Sequence, residues 1–188
     1  FLPREKLLPL GAKYVDVTEE EVEIAVENMC ARHQLEAAVI NGLDVVYLPN
    51  YYKAETRAAE KLRTLLQFGH QEIQKIESRI SKTEQELGIL YEEAQRAAIR
   101  CAVENRVMVL TGGPGTGKTT SLRGMIALFE ALSYRILLAA PTGRAAKRMS
   151  QVCARSAQTL HRLLEVQPGT GGFAHNGANP LKCDVLIV

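Results

Sequence analysis

Thr111-Gly-Gly-Pro-Gly-Thr-Gly-Lys-Thr-Thr120 carries the densest chemistry in the chain. Gly112, four spacers, Gly117, Lys118 and Thr119 satisfy the G-x-x-x-x-G-K-[ST] pattern without a mismatch. Glycines at these places let the backbone turn tightly and aim successive N–H groups at phosphate oxygens. Lys118 would bring a mobile positive charge to β/γ-phosphates, and the Thr119 hydroxyl would ligate Mg²⁺. A helix starting here would add the positive end of its dipole. Gly112, Gly113, Pro114, Gly115, Thr116, Gly117, Lys118, Thr119 and Thr120 are thus the candidate nucleotide-binding residues, with Lys118 and Thr119 also the candidate catalytic ones. Chance places such a pattern in roughly one chain in a hundred of this length. The competing reading is a glycine-rich turn with an incidental lysine.

The flanks favour the phosphate loop. Arg106-Val-Met-Val-Leu110 reads as a buried strand over 106–111, and the spacing of Leu122, Met125, Ile126 and Phe129 predicts a helix over 117–132. Downstream, the pattern predicts a strand at 135–140, a helix at Gly143–Ala154 and a short helix at Thr159–Leu164. The stretch Pro168–Pro180 has no charged residue and four glycines, which predicts a loop or loose hairpin. Asp184–Val188 reads as another strand, and Tyr91–Ala102 as a helix before the loop. Strands alternating with helices imply an α/β fold with a parallel sheet and right-handed crossovers.

The first half has a different texture. Thr18-Glu-Glu-Glu21 is a capping box opening a helix with Val22, Ala25, Val26 and Met29 on one face. Asn41-Gly42 between Ala37–Ile40 and Leu43–Leu48 is a strong hairpin signal. Helix then hairpin resembles a winged-helix unit, which can contact DNA or serve as a packing module; both stay open. Pro49 closes the hairpin, a helix spans about Lys53–Phe68, Gly69 breaks it, and Ile73, Ile76 and Ile80 mark a charged helix or linker. The expected division is a mainly helical accessory region at 1–89, followed by the α/β part at 90–188.

Composition narrows the function. Of 188 residues, 46% are hydrophobic, enough for a buried core. No apolar run reaches the ~18 residues of a membrane span, and the start is no signal peptide, so no membrane partner is expected. A first residue of Phe rather than Met suggests an excised segment. Cys30, Cys101, Cys153 and Cys183 are widely spaced, implying reduced thiols in the cytoplasm, and His33, His70, His161 and His175 are equally scattered. No metal cluster is expected from them. Residues 1–104 hold 13 Lys/Arg against 18 Asp/Glu, net −5, while 105–188 hold 10 against 3, net +7. The basic half carries the phosphate loop, which suits a protein that handles a polyanion, with a plain solvated surface as the rival reading. Pro141-Thr-Gly143, leading from a strand into a helix, offers a hydroxyl, a close backbone approach and helix-start N–H groups to a nucleic-acid phosphate. Arg144, Lys147 and Arg148 follow within about one turn; they would line a strand's path or form a solvated basic face.

These blocks in order resemble the RecD-like (RecD/TraA) branch of superfamily 1 DNA helicases. Glu92-Glu-Ala-Gln95-Arg-Ala-Ala-Ile99 is similar to its adenine-reading motif, which implies that Gln95 reads the base edge. Gly112–Thr119 and Ala140–Ala146 resemble its first two motifs. Ala157-Gln-Thr-Leu-His-Arg-Leu-Leu164 resembles the next, implying that Thr159 and His161 lie by single-stranded DNA together with Pro141, Thr142, Gly143, Arg144 and Lys147. Phe173, Asn176, Asn179 and Pro180 keep that branch's spacing, and Val46–Leu48 with Tyr52–Glu55 resemble its pre-motor region. The resemblance implies a RecA-like P-loop sheet, incomplete here, and an ATP- and Mg²⁺-dependent helicase of 5′→3′ polarity. Its substrate would be single-stranded DNA or DNA junctions; protein partners are not indicated. In that family an Asp-Glu pair follows the strand ending at Val188, so these 188 residues are expected to bind nucleotide weakly and hydrolyse almost none. A non-enzymatic DNA-binding or ATP-sensing scaffold is the alternative, and a small-molecule P-loop kinase a third reading that lacks an acceptor site.

Overall fold

The computed structural model describes residues 1–69, 72–169 and 171–188. His70 of the scattered histidines and one position of the glycine-rich loop fall outside the described residues. The chain divides into two compact units, Phe1–Gln67 and Phe68–Val188.

In the first unit, β1 (Leu2–Pro3) and α1 (Arg4–Val15) precede α2 (Glu19–Ala31), β2 (Glu36–Ile40), β3 (Leu43–Tyr47) and α3 (Pro49–Gln67). The capping box forms: the Glu21 N–H donates to Thr18 Oγ1 at 3.2 Å, and the Thr18 N–H donates to Glu21 Oε2 at 2.9 Å. Asn41 and Gly42 take φ of 51° and 80°, the left-handed pair that a two-residue hairpin turn needs, so β2 and β3 pair antiparallel. β1 adds to β3, giving the order β1-β3-β2. Val26 of α2 and Val45, Val46 and Tyr47 of β3 are buried, while Met29, expected on the inner face, is 39% exposed. Helix α3 starts at Pro49, earlier than the reading from Lys53, because proline in the first turn sacrifices an N–H that no carbonyl would have met.

The second unit contains α4 (Ile76–Leu87), α5 (Glu93–Glu104), α6 (Lys118–Ala131), β4 (Ile136–Ala140), α7 (Gly143–Cys153), β5 (Ala157–Thr159), α8 (Leu160–Leu164) and β6 (Val185–Ile187). Its sheet is wholly parallel in the order β5-β4-β6, with Leu138 opposite both Ala157 and Ile187. Ile80, Tyr91, Ile99, Val103, Met125, Leu128, Phe129 and Leu138 form the core between sheet and helices. The architecture is α/β, a partial P-loop NTPase sheet, as the alternating pattern required.

Two sequence expectations change. The second unit begins at Phe68, so the 89/90 division misplaces α4. Ile80 on α4 is completely buried in the α/β core, with Ile73 and Ile76 packed beside it. The segment 106–111 forms no strand. Met108 and Leu110 reach the core, but Val109 is 79% exposed, and a cleft of about 600 Å³ is lined by Met108–Leu110 and by Val185–Val188 of the β6 region. An apolar pentapeptide becomes a buried strand only by exchanging ladder hydrogen bonds with a neighbour, and among the described residues it has no such partner. The 168–180 region, apart from its undescribed position, takes the hairpin alternative: Val166 and Phe173 bridge antiparallel and Asn176 closes a tight turn onto Asn179.

Candidate nucleotide and nucleic-acid site

The phosphate loop connects the irregular 106–111 segment to α6. Gly112, Gly115 and Gly117 have φ of 154°, 77° and 74°, backbone conformations that side chains oppose. Thr116 Oγ1 donates to the Gly113 carbonyl at 2.9 Å and tightens the turn. The Lys118 ammonium curls over the loop, donating to the Gly112 carbonyl at 2.5 Å and also to the Gly113 carbonyl. These bonds set the lysine at the mouth of the concavity, where a phosphate oxygen would compete for it. Thr119 is exposed in the first turn of α6, so its hydroxyl has open solvent before it; Gly113, Pro114 and Gly115 are exposed as well, and Thr120 is half-buried. The 600 Å³ cleft includes Lys118 and Thr119 in a lining that is otherwise mostly apolar, with Met108, Leu110, Leu122 and Phe129.

Gln95 stands beside this loop. As the third residue of α5 it accepts the Glu92 N–H through Oε1 at 3.0 Å. An N–H needs an oxygen opposite, so this bond fixes the amide's orientation and turns Nε2 toward Gly117. A Cβ built on Gly117 would lie only 2.1 Å from that nitrogen. Gly117 is therefore glycine twice over, for its φ and for the amide seated against it. The residue type offers both edges of its amide to a base; in the structure one oxygen lone pair is already committed to the helix cap.

Parallel strands bring the remaining candidates to one edge. Ala140 pairs in register with Thr159, so the segments leaving β4 and β5 emerge side by side at the carboxyl end of the sheet. Ligands of open α/β sheets bind at that edge. Thr142 caps α7, its Oγ1 accepting the Ala145 N–H at 3.2 Å, and Thr159 caps α8 by accepting the Arg162 N–H at 3.2 Å. Both hydroxyls keep a proton to donate outward. A Cβ at Gly143 would meet nothing within 4 Å, so the fold itself does not demand glycine there. Pro141, Arg144 and Lys147 are exposed, and no ion pair among the described residues engages Arg144, Lys147 or Arg148. His161 is exposed, its ring 6.2 Å from that of Phe173.

The helix before the hairpin of the first unit carries a different charge. α2 holds five glutamates, Glu19, Glu20, Glu21, Glu23 and Glu27, and no Lys or Arg. A phosphate backbone is repelled by such a surface, which favours the packing-module reading of this unit.

Sequence reasoning missed the network that mounts α5. Arg96 Nη1 donates to Glu84 Oε2 at 2.6 Å, and Nη2 donates to Glu77 Oε2 at 3.0 Å and to Ser81 Oγ at 3.3 Å. Arg96 holds the Glu84 carboxyl below the usual carboxylate range, helped by the Tyr91 N–H, and holds Glu77 down likewise. Burial pushes the Tyr91 phenol up, with Glu84 adding to it, and its hydroxyl has no hydrogen-bond partner among the described residues. The signal was present as Glu77 and Glu84 seven apart beside Ile76, Ile80 and Thr83, a helical face rather than a linker. At the opposite end of the sheet, Asp184 chelates Arg135 at 3.0 Å through both carboxylate oxygens, which brings its pKa down to about 2.

Sheet, glycine loop and capped helix starts define a partial P-loop NTPase fold. The AAA domain family matches residues 95–188, beginning at Gln95 itself. The ATP-dependent RecD2 DNA helicase of Deinococcus radiodurans is 34% identical over 197 aligned positions, covering all of this chain and 27% of that protein. The RecBCD enzyme subunit RecD of Mycolicibacterium smegmatis is 35% identical over 169, covering 77% of this chain and 29% of its own length. The ATP-dependent DNA helicase dda of phage T4 is 39% identical over 64, about 34% of this chain. The chain belongs to the AAA domain family, in its RecD-like branch. It spans under a third of the length of the first two relatives.

Proposed function

We propose that these residues are the nucleotide-binding part of an ATP-dependent DNA helicase that moves 5′→3′ along single-stranded DNA in repair and recombination in the cytoplasm. The observation that carries this reading is the shared edge. One parallel sheet presents the loops after β4 and β5 together at its carboxyl end, in the same unit as a complete phosphate loop. The DNA substrate follows the name of the Deinococcus relative, a DNA helicase, and the polarity is what the resemblance of residues 90–188 implies.

In this reading Lys118 leaves the Gly112 and Gly113 carbonyls for the β/γ-phosphate oxygens of ATP, and the loop N–H groups bind the rest of the anion. The donor set fits Mg²⁺: the exposed Thr119 hydroxyl offers a hard oxygen beside the phosphates. The ion, when bound, would supply charge neutralisation on the transferring phosphoryl group. Gln95 reads the base. Thr142, Thr159 and the helix-start N–H groups hold DNA phosphates, Gly143 lets the strand come close, and Arg144, Lys147 and His161 flank its path. Pro141 starts the turn that aims them.

The decisive experiment is Lys118→Ala in the protein that carries these residues, assayed on a duplex with a 5′ single-stranded tail. Loss of ATP-driven unwinding supports the proposal; wild-type unwinding overturns it.

A further inference from the structure

We infer that Glu84 is a positioning residue for the base-reading end of the nucleotide site, acting on Gln95 through both ends of the 91–96 segment. This rests on the proposal that Gln95 reads the base. Glu84 Oε1 accepts the Tyr91 N–H at 3.0 Å, and its Oε2 accepts Arg96 Nη1 at 2.6 Å. One carboxylate thus grips the residue before the Glu92–Gln95 cap and the residue after it. The carboxylate is almost buried, and Ile80 and Thr83 beside it on α4 are wholly or nearly so. α4 is therefore a fixed mount rather than a mobile flap.

The grip has a direction. Tyr91 packs its ring against Gly124 of α6, where a Cβ would come within 2.7 Å of the phenol oxygen. That anchors the start of α5 to the helix that follows the phosphate loop. With Tyr91 and Arg96 both held, the intervening turn has little freedom, and Gln95 Nε2 is pressed toward Gly117. A group that touches the ligand must sit within about 0.5 Å of its working position to act, and that precision comes from the groups behind it. Glu84 touches neither phosphate nor base. Its effect should appear only in the part of the binding energy that the base contributes.

The test separates base from phosphate by comparing ATP with inorganic tripolyphosphate, each displacing a ribose-labelled fluorescent ATP from the protein carrying these residues. Glu84→Gln keeps an acceptor for the Tyr91 N–H but removes the charge that holds Arg96. It should weaken ATP about three- to tenfold, the range for a change acting through one relay. Tripolyphosphate affinity should stay within twofold, or about 0.4 kcal/mol. Arg96→Met should do the same, and the double variant should lose no more than either single one. Arg100→Ala, which removes only a contact to Glu77, should leave the ATP preference unchanged. Equal weakening of both ligands by Glu84→Gln, or weakening of neither, overturns the inference. Gln95→Ala identifies the cause of failure. If it too leaves the ATP preference intact, the base-reading assignment is wrong; if it alone lowers that preference, only the role of Glu84 is wrong.

Discussion

Replacing Gly117 with alanine strikes the two constraints that meet at the start of α6. The residue sits at φ 74°, where an alanine costs about 1–2 kcal/mol relative to its relaxed conformation. Its new methyl would also lie 2.1 Å from Gln95 Nε2, a contact that cannot persist. The side chain at fault is flexible, so the backbone need not move. Gln95 can swing away, but it then releases the Glu92 N–H it accepts at 3.0 Å. Losing that bond adds about 0.5–1.5 kcal/mol. The sum is about 1.5–3.5 kcal/mol, which at ~3 °C per kcal/mol lowers the melting midpoint by about 5–10 °C. Nucleotide affinity should fall more than stability suggests, at least about tenfold, because loop geometry and Gln95 are displaced together. Differential scanning calorimetry with a parallel fluorescent-nucleotide titration measures both. Wild-type melting together with wild-type ATP affinity would refute the geometry on which the site is built.

Gly143→Ala is the matched control, since it meets open space at ordinary φ: the melting midpoint should not move, while affinity for a single-stranded oligonucleotide should drop. Neutralising Arg144 and Lys147 together should flatten the dependence of log K on log salt by about 0.7 for each DNA phosphate that is no longer neutralised; an unchanged slope would assign these residues to a merely solvated face. Tyr91→Phe removes a buried hydroxyl without a partner, so urea denaturation should find the variant as stable as the parent or up to about 1 kcal/mol more so. A clear loss would mean that the hydroxyl has a partner. Asp184 has a folded pKa of about 2 against an ordinary 3.8, so its ion pair with Arg135 stabilises the β4–β6 end fully above the higher value and is lost as pH falls through the lower one. Asp184→Asn should accordingly be less stable than the parent near neutral pH and decline less steeply in acid, the two converging at the low end of that window; parallel acid titrations would refute the pairing.

Local chemistry was legible wherever a short segment decides its own conformation. The Thr18 capping box, the Asn41-Gly42 turn and the glycines of the phosphate loop all adopt the geometry that their residue types require, because each is settled by neighbours within four positions. The helices and strands around β4 followed for the same reason, their apolar periods matching the face that each buries. Charge asymmetry between the halves also pointed to a basic α/β portion, and to an accessory portion that includes the acidic α2.

Tertiary structure decided what depends on partners distant in sequence. The run at 106–110 has strand composition, yet it finds no ladder partner among the described residues and reaches the core through Met108 and Leu110. α4 reads as a charged helix or linker, and its burial follows only once Arg96, twelve residues beyond Glu84, supplies the counter-charge that lets a carboxylate lie buried. Gln95 was found by its place in a motif, but which of its amide groups stays free was set by a cap at Glu92 and a glycine at 117. Sequence by itself thus determined the tight glycine loop and the lysine that follows it, since that needs only backbone freedom at fixed spacing. Where the Gln95 amide points was left to the packing of α4, α5 and α6, because orientation is a property of surroundings rather than of residue type.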